Sequence, residues 1–261
     1  MKRTILCLAI FAAIVSNAHS QYADLGTGAL KNQIWWFDWN NFTVADGASR
    51  SFTTGDGLTV TITFSNVQGP VFQPYVMNTW VGAVLHYLYD FSNVNIKPAL
   101  FSTYTTLNSQ FTISVTATRN GAPAPFKFIA ADAEASATSE IMTLTTSGSN
   151  WLCVDFFRNS TQTTNPFTGC NTQTANVTDT WGGGLSGIGQ NPVIATDNAG
   201  GSPLVLNCSF NRNSVIGQMG IALGIFGSVD MGDLPASYGN AQHTLKYTTN
   251  NPCNYLPPLP S

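Results

Sequence analysis

The chain has 261 residues, of which 43% are hydrophobic and only 9% are charged, with a formal net charge of −3. A typical soluble domain carries about 25% charged residues. Here the polarity comes instead from uncharged side chains, including 31 Thr and 24 Asn. The hydrophobic content excludes intrinsic disorder. Ten scattered Lys and Arg exclude a nucleic-acid binder. A helical bundle is excluded because its surface would be rich in Glu, Lys and Arg.

Residues 1–20 have the pattern of a secretory signal peptide. Lys2 and Arg3 are followed by an apolar run from Ile5 to Val15 and by the small-x-small sequence Ala18-His19-Ser20. The run is about half of the ~20 residues that a membrane span needs. We therefore predict a secreted or extracellular protein whose mature chain starts at Gln21 and has no membrane span.

Period-two alternation of apolar and polar residues predicts half-buried strands at 58–65, 111–118 and 204–210. Other segments are apolar at both odd and even positions, that is, on both phases of the alternation, and are interpreted as central strands covered on both faces. These are Gln33–Trp39, Val81–Tyr89, Phe126–Ala131, Trp151–Phe157 and Met219–Phe226. Turn signals such as Arg119-Asn120-Gly121 separate the strands. The pattern predicts an all-β fold of two stacked antiparallel sheets, a β-sandwich.

Two long stretches, 158–173 and 181–203, are rich in Asn, Thr and Gly and are predicted to be irregular. Loops of this length in a compact domain are usually functional or disordered. Residues 251–260 are rich in Pro and Asn and are typical of a linker.

Four cysteines remain after signal removal: Cys153, Cys170, Cys208 and Cys253. An even number in an exported chain favours two disulfides, for which three pairings are possible. Buried free thiols are the alternative, and Cys208 supports it because it shares the apolar phase of Leu204, Leu206 and Phe210.

Candidate catalytic residues are few. His86 lies in an apolar segment and is interpreted as a core histidine. Asp132, Glu134 and Glu140 are the carboxylates that a secreted glycoside hydrolase would use. The same three residues are candidate calcium ligands, or they have a purely structural role. Calcium is the one cofactor that the sequence suggests.

Candidate binding residues are aromatic. At least two of Trp35, Trp36 and Trp39 are expected in the core, because they lie in a segment that is apolar on both phases. Trp80 and Trp181 follow polar, loop-like residues and are the better candidates for ligand contact. Asn78 beside Trp80 adds hydrogen-bonding groups. A neutral Asn, Thr and Trp surface suits glycans or extended peptide backbone.

Several blocks together resemble a known family. The block KNQIWWFDWNNF at 31–42 and the block FIAADAEASATSEIMTLTTSGSNW at 128–151 are its most specific parts. Over residues 26–228 the chain resembles the ligand-binding, non-repetitive domain 2 of CshA-type bacterial fibrillar surface adhesins. The resemblance implies a lectin-like, jelly-roll type β-sandwich displayed on a surface fibril, without catalysis or an assigned set of ligand-binding residues. Its namesake binds the host matrix glycoprotein fibronectin.

A second resemblance begins at Gly232. The segment GDLPASYGNAQH at 232–243 is similar to one that opens a further module in large multidomain bacterial surface proteins. We therefore expect a signal peptide at 1–20, an adhesin domain at 21–230 and a linker-like tail at 231–261. The expected function is adhesion to an extracellular glycoprotein or glycan. A secreted glycoside hydrolase and a structural fibril module without ligand remain as alternatives.

Overall fold

A computed structural model describes residues 21–105, 107–135, 140–158, 166–178, 189–198, 202–212 and 217–227, together with the backbone of 230–231 and 242–243. The predicted signal peptide and most of the predicted tail lie outside these residues. The strands are β1 (Ile34–Trp36), β2 (Ser49–Thr53), β3 (Leu58–Gln68), β4 (Phe72–Tyr75), β5 (Ala99–Ser102), β6 (Ser109–Arg119), β7 (Ala122–Pro123), β8 (Phe126–Asp132), β9 (Ile141–Thr146), β10 (Leu152–Arg158), β11 (Phe167–Thr168), β12 (Thr174–Val177), β13 (Gln190–Asn198), β14 (Leu204–Asn211), β15 (Gly220–Phe226), β16 (Asp230–Met231) and β17 (Gln242–His243).

Strands β1 to β15 form two antiparallel sheets, which confirms the predicted β-sandwich, and β16 pairs separately with β17. The seven-stranded sheet has the order β10-β13-β8-β15-β5-β4, and β1 also pairs with β15. The eight-stranded sheet has the order β11-β12-β9-β14-β6-β3-β2, and β7 also pairs with β6. No helix in the described part of the chain is long and apolar enough to cross a membrane.

Alternation decides which side chains enter the space between the sheets. In β3, Leu58, Val60, Ile62 and Phe64 are buried, whereas the intervening Thr and Ser residues are partly exposed. The inward residues of both sheets form one core cluster. Burying a side chain such as Phe64 contributes roughly 1.5–3 kcal/mol.

The outer face of the seven-stranded sheet is also covered, so its central strands are buried on both faces. A second core cluster joins Ile129 and Ala222 of this sheet to Leu85 and Tyr89 of the covering segment. Trp36 belongs to this second cluster, and Trp35 and Trp39 belong to the first. All three tryptophans are buried, which confirms the expectation that at least two are in the core.

The covering segment corrects one prediction. Val81–Tyr89 was expected to be a central strand, but it contains a 3-10 helix at Val84–Tyr87 and turns around it. Most of its apolar residues are buried because they pack on the outside of the sheet, not because they pair within it, whereas Val81 and Tyr87 are exposed. A short run that is apolar on both phases does not distinguish these cases. His86 is half-buried there, with Nδ1 2.6 Å from the Ala83 carbonyl oxygen.

A second correction concerns the stretch 181–203, which was predicted to be irregular. It contains β13, a nine-residue strand that lies between β10 and β8 in the interior of the seven-stranded sheet. The sequence QNPVIATDN hides the strand because Pro, Asn and Asp are unfavourable strand residues. The turn predicted at 119–121 is confirmed, since Asn120 and Gly121 adopt φ of 53° and 79° between β6 and β7.

Candidate functional site

One end of the sandwich, here called the loop end, carries several of the connections that pass between the two sheets, and the opposite end carries others, such as β7 to β8 and β13 to β14. At this end β5 leads into β6, β8 into β9 and β14 into β15. Strand register shows that these strand ends lie at the same end of the sandwich. Asp132 at the end of β8 pairs with Ile221 near the start of β15, and Asn211 at the end of β14 pairs with Ile141 at the start of β9. Loops clustered at one end of a rigid scaffold are the usual location of binding residues.

Alternation also places polar side chains in the core at the loop end. The last core-facing residue of β8 is Asp132. The alternation of core-facing residues in β14 continues one residue past the strand to Arg212. The inward phase of β9 extends back to Glu140, and β5 and β6 contribute Ser102 and Ser109. These residues, with Glu134, form what we call the acid–arginine layer. The exposed fractions of Asp132, Glu134, Glu140 and Arg212 are 2%, 2%, 5% and 0%.

Arg212 holds the acid–arginine layer together. Its guanidinium donates to the carbonyl oxygen of Leu107 and to the hydroxyl of Ser102. Its backbone N–H donates to Asn108 Oδ1 at 3.0 Å. Burial lowers the pKa of Arg212, whereas the nearby carboxylates of Glu140 and Glu134 raise it. Sequence reasoning overlooked Arg212, although its position on the apolar phase of β14 was a usable signal.

Glu134 is the most perturbed group of the layer. Complete burial, and then the negative charges of Asp132 and Glu140, raise its pKa well above the ordinary value, against the opposing effect of Arg212. Its Oε1 is buried without a hydrogen-bond partner. Its backbone N–H donates to Asp132 Oδ1 at 3.1 Å, and the Asn191 amide donates to its backbone carbonyl at 3.2 Å. Glu134 is therefore held by the backbone, with a carboxyl group that favours the protonated form.

The calcium hypothesis gains no support from this geometry. In the described ranges, no three His, Cys, Asp or Glu side chains are placed to hold a metal ion. The charge of Asp132, Glu134 and Glu140 is offset by Arg212 and by the raised pKa of Glu134. The arrangement is that of a buried structural network.

Asn78 and Trp80 lie in the segment that leads from β4 to the 3-10 helix. Asn78 is exposed, whereas Trp80 is half-buried and packs edge-on against Phe101, with 6.5 Å between ring centroids. Gly82 accepts a backbone hydrogen bond of 2.8 Å from Ala135, so this segment lies next to the end of β8. The structure therefore brings Trp80 to the loop end. Trp181, the other predicted contact residue, lies outside the described residues.

Three exposed apolar side chains lie in the connections at the loop end, and sequence reasoning missed them. Tyr104, Leu107 and Val71 have exposed fractions of 64%, 62% and 42%. Val71 lies between β3 and β4, and the other two lie between β5 and β6. Arg212 bonds the Leu107 carbonyl, so the connection that carries Tyr104 and Leu107 is anchored to the buried layer.

The cysteines correct part of the disulfide prediction. Cys153 and Cys208 are buried free thiols, not disulfide partners. Burial raises the pKa of Cys153 to about 12, with a further contribution from Asp155. Cys170 is disulfide-bonded. Cys253 lies outside the part of the chain that the structure describes.

Comparison with known proteins agrees with the resemblance in the sequence. Searches of the curated proteins and of the solved structures gave no match. The family model of the surface adhesin CshA non-repetitive domain 2 matches residues 32–226, which include both sheets. This family supports a role as a surface adhesin, at the cell surface or outside the cell. The chain belongs to the family of the surface adhesin CshA non-repetitive domain 2.

Proposed function

We propose that this domain is a non-catalytic adhesive module of a secreted or cell-surface bacterial protein, and that its loop end binds an extracellular glycoprotein or glycan. A host matrix glycoprotein of the fibronectin type is within this class. The proposed contact residues are Asn78, Trp80 and Trp181, to which we add the exposed Tyr104 and Leu107. The resemblance to CshA-type adhesins supports the class of ligand, and the geometry of the loop end supports the position.

The observation that carries this proposal is the exposure of Tyr104 and Leu107 at the loop end. Exposed apolar side chains that are grouped at one place on a soluble domain mark interaction surfaces. Tyrosine offers a flat apolar ring with a hydrogen-bonding hydroxyl, which suits both sugar rings and protein partners. Half-buried Trp80 adds a second aromatic side chain at the same end.

The loop end is also preorganised. Trp80 packs against Phe101 of the sheet, and Arg212 binds the connection that carries Leu107. A surface that is ordered before binding loses less conformational entropy when the ligand arrives. The acid–arginine layer thus acts as a rigid base for the exposed side chains.

Burial supports the non-catalytic part of the proposal. A glycoside hydrolase must bring two carboxyl groups to opposite sides of a glycosidic bond. Asp132, Glu134 and Glu140 are almost fully buried, and Glu134 is held by the backbone of the layer. Hydrolysis remains the second candidate function, because a carboxyl group with a raised pKa is a feature of general acids.

Binding of the purified chain to immobilised fibronectin and to a glycan array tests the proposal. We expect Trp80→Ala and Tyr104→Ala each to weaken binding at least about tenfold, the cost of roughly 1.4 kcal/mol at a hot spot. Val94→Ala is the matched control, because Val94 is exposed but is not part of a loop-end connection. Unchanged binding in both aromatic variants would contradict the position of the site. Release of reducing sugar from polysaccharides, lost in Glu134→Gln, would establish the hydrolase instead.

A further inference from the structure

The described strands of the eight-stranded sheet place no charged residue on their outer face. Its outward residues on the described strands β2, β3, β6, β9, β12 and β14 include no Asp, Glu, Lys or Arg. They are mostly Thr and Ser, with Asn207 and Asn211 on β14 and Asn176 on β12. An ordinary solvent-exposed sheet face carries Lys and Glu for solubility. The whole chain has only 9% charged residues, so this face follows the general composition, and what it can bind depends on its neutral polar groups.

The hydroxyl groups of this face are ordered by hydrogen bonds between strands. Thr112 donates to Asn207 Oδ1 at 2.9 Å, linking β6 to β14. Thr143 donates to Asn176 Oδ1 at 2.7 Å, linking β9 to β12. Ser51 and Thr61 lie 2.7 Å apart in the same way between β2 and β3. The polar groups are thus fixed before a ligand arrives, which lowers the entropic cost of binding.

A depression of about 430 Å³ lies in this face, within the usual size range of small-molecule sites. It is formed where the pairing of β3 with β6 shifts register between Ser65 and Gln68, and Asn66 in this bulge adopts φ of 52°. Bulges commonly redirect side chains next to binding sites. The side chains that line the depression from the outer face are Asn66, Gln68, Gln110, Thr112, Thr143, Thr145, Asn207 and Ser209.

We propose that this depression is a second binding site, separate from Trp80, that takes a neutral polysaccharide chain. Side-chain amides donate and accept from adjacent atoms, which suits the neighbouring hydroxyl groups of a sugar. Anionic or cationic polymers gain no electrostatic attraction from an uncharged face. A protein partner would need exposed apolar anchors, whereas the two apolar residues among those that line the depression, Phe111 and Cys208, are each only 2% exposed. The site goes beyond the loop-end function and does not depend on it.

The test uses the full chain on an array of neutral glucans, mannans and galactans, with heparin as the charged comparison. Gln110→Lys and Ser209→Lys each place a long cation over the depression. Thr116→Lys is the matched control, because it is exposed on the same strand as Gln110 but does not line the depression. All three positions are exposed, so we expect the variants to keep the melting temperature of the parent chain.

We expect the parent chain to bind a neutral polysaccharide with little dependence on salt, and both depression variants to bind it at least about tenfold more weakly. Thr116→Lys and Trp80→Ala should keep this binding. Absence of binding to every neutral glycan would overturn the proposal. Equal binding by the parent chain, Gln110→Lys and Ser209→Lys would also overturn it. If Trp80→Ala alone lost binding, the loop-end function would stand and the depression proposal would fail. Self-association that Gln110→Lys abolishes would assign the face to a second copy of the chain instead.

Discussion

Replacing Arg212 by Met tests whether the acid–arginine layer holds the loop end together. The substitution keeps much of the side-chain volume but removes the cation that faces Glu134 and Glu140. It also removes the donors to the Leu107 carbonyl and to the Ser102 hydroxyl. The fold of the two sheets should survive, because their apolar cluster does not include Arg212.

Two independent estimates give a similar cost for Arg212→Met. Removing one partner from a buried set of charges costs about 3–5 kcal/mol. Leaving the Leu107 and Ser102 acceptors without their donor costs roughly 1–3 kcal/mol each, or about 2–6 kcal/mol together. A domain of this size loses about 2–4 °C of melting temperature per kcal/mol, so a loss of 3–5 kcal/mol lowers it by roughly 6–20 °C.

Thermal unfolding at several pH values measures this effect. Arg212 is the group that lowers the folded-state pKa of Glu134, so without it that pKa rises further and the folded protein loses more stability as the pH rises. The deficit of Arg212→Met should therefore be largest near neutral pH and should shrink in acid. Arg119→Met is the control, because the pair of Arg119 with Asp56 at 2.9 Å is partly exposed and should contribute about 1 kcal/mol or less. Equal losses in the two variants, or a deficit independent of pH, would refute the reasoning.

Three further predictions concern the buried acid, two glycines and the thiols. The folded-state pKa of Glu134 is raised, so the protein loses stability as the pH rises from the ordinary glutamate range through that pKa. Glu134→Gln should therefore melt higher than the parent near pH 7, with a smaller difference near pH 4, and the reverse order would contradict the raised pKa. Gly121→Ala should cost about 1–2 kcal/mol in denaturant unfolding, because its φ is +79° but the space is open. Gly69→Ala should cost clearly more, since an added Cβ would lie 2.1 Å from a backbone oxygen, and equal costs would disprove the close approach. Cys153 and Cys208 should not react with a thiol reagent at pH 8 until the protein unfolds, because burial raises both thiol pKa values; rapid reaction of the folded protein would show that they are accessible.

The strands with strict alternation were predictable because each side of such a strand meets one environment. Leu58–Gln68, Ser109–Arg119 and Leu204–Asn211 lie in one sheet with one wet face, and their sequences show it directly. The seven-stranded sheet is covered on both faces, so its sequences lose the alternation. For this reason Val81–Tyr89, which only covers the sheet, was mistaken for a strand, and Gln190–Asn198, which is a strand within it, was missed.

Some candidate site residues could be predicted from the sequence, and others were recognised only from the structure. Trp80 and Asn78 stood out in the sequence as aromatic and polar residues in a loop, but their place next to the end of β8 became visible only in the structure, where Gly82 accepts a hydrogen bond from Ala135. Tyr104 and Leu107 have no local signal, because an exposed apolar residue looks the same in sequence as a buried one. Only the packing of the whole domain decides which apolar side chains remain exposed.

By itself, the sequence determined the all-β class and the family, and it predicts an export signal at residues 1–20. These follow from composition, period and contiguous blocks of residues, which are local properties of the chain. The tertiary structure alone decided that Asp132, Glu140 and Arg212 meet in one buried layer and that the depression forms on the uncharged face. Both features join residues that are far apart in the chain, because sheet register, and not sequence distance, determines which side chains become neighbours.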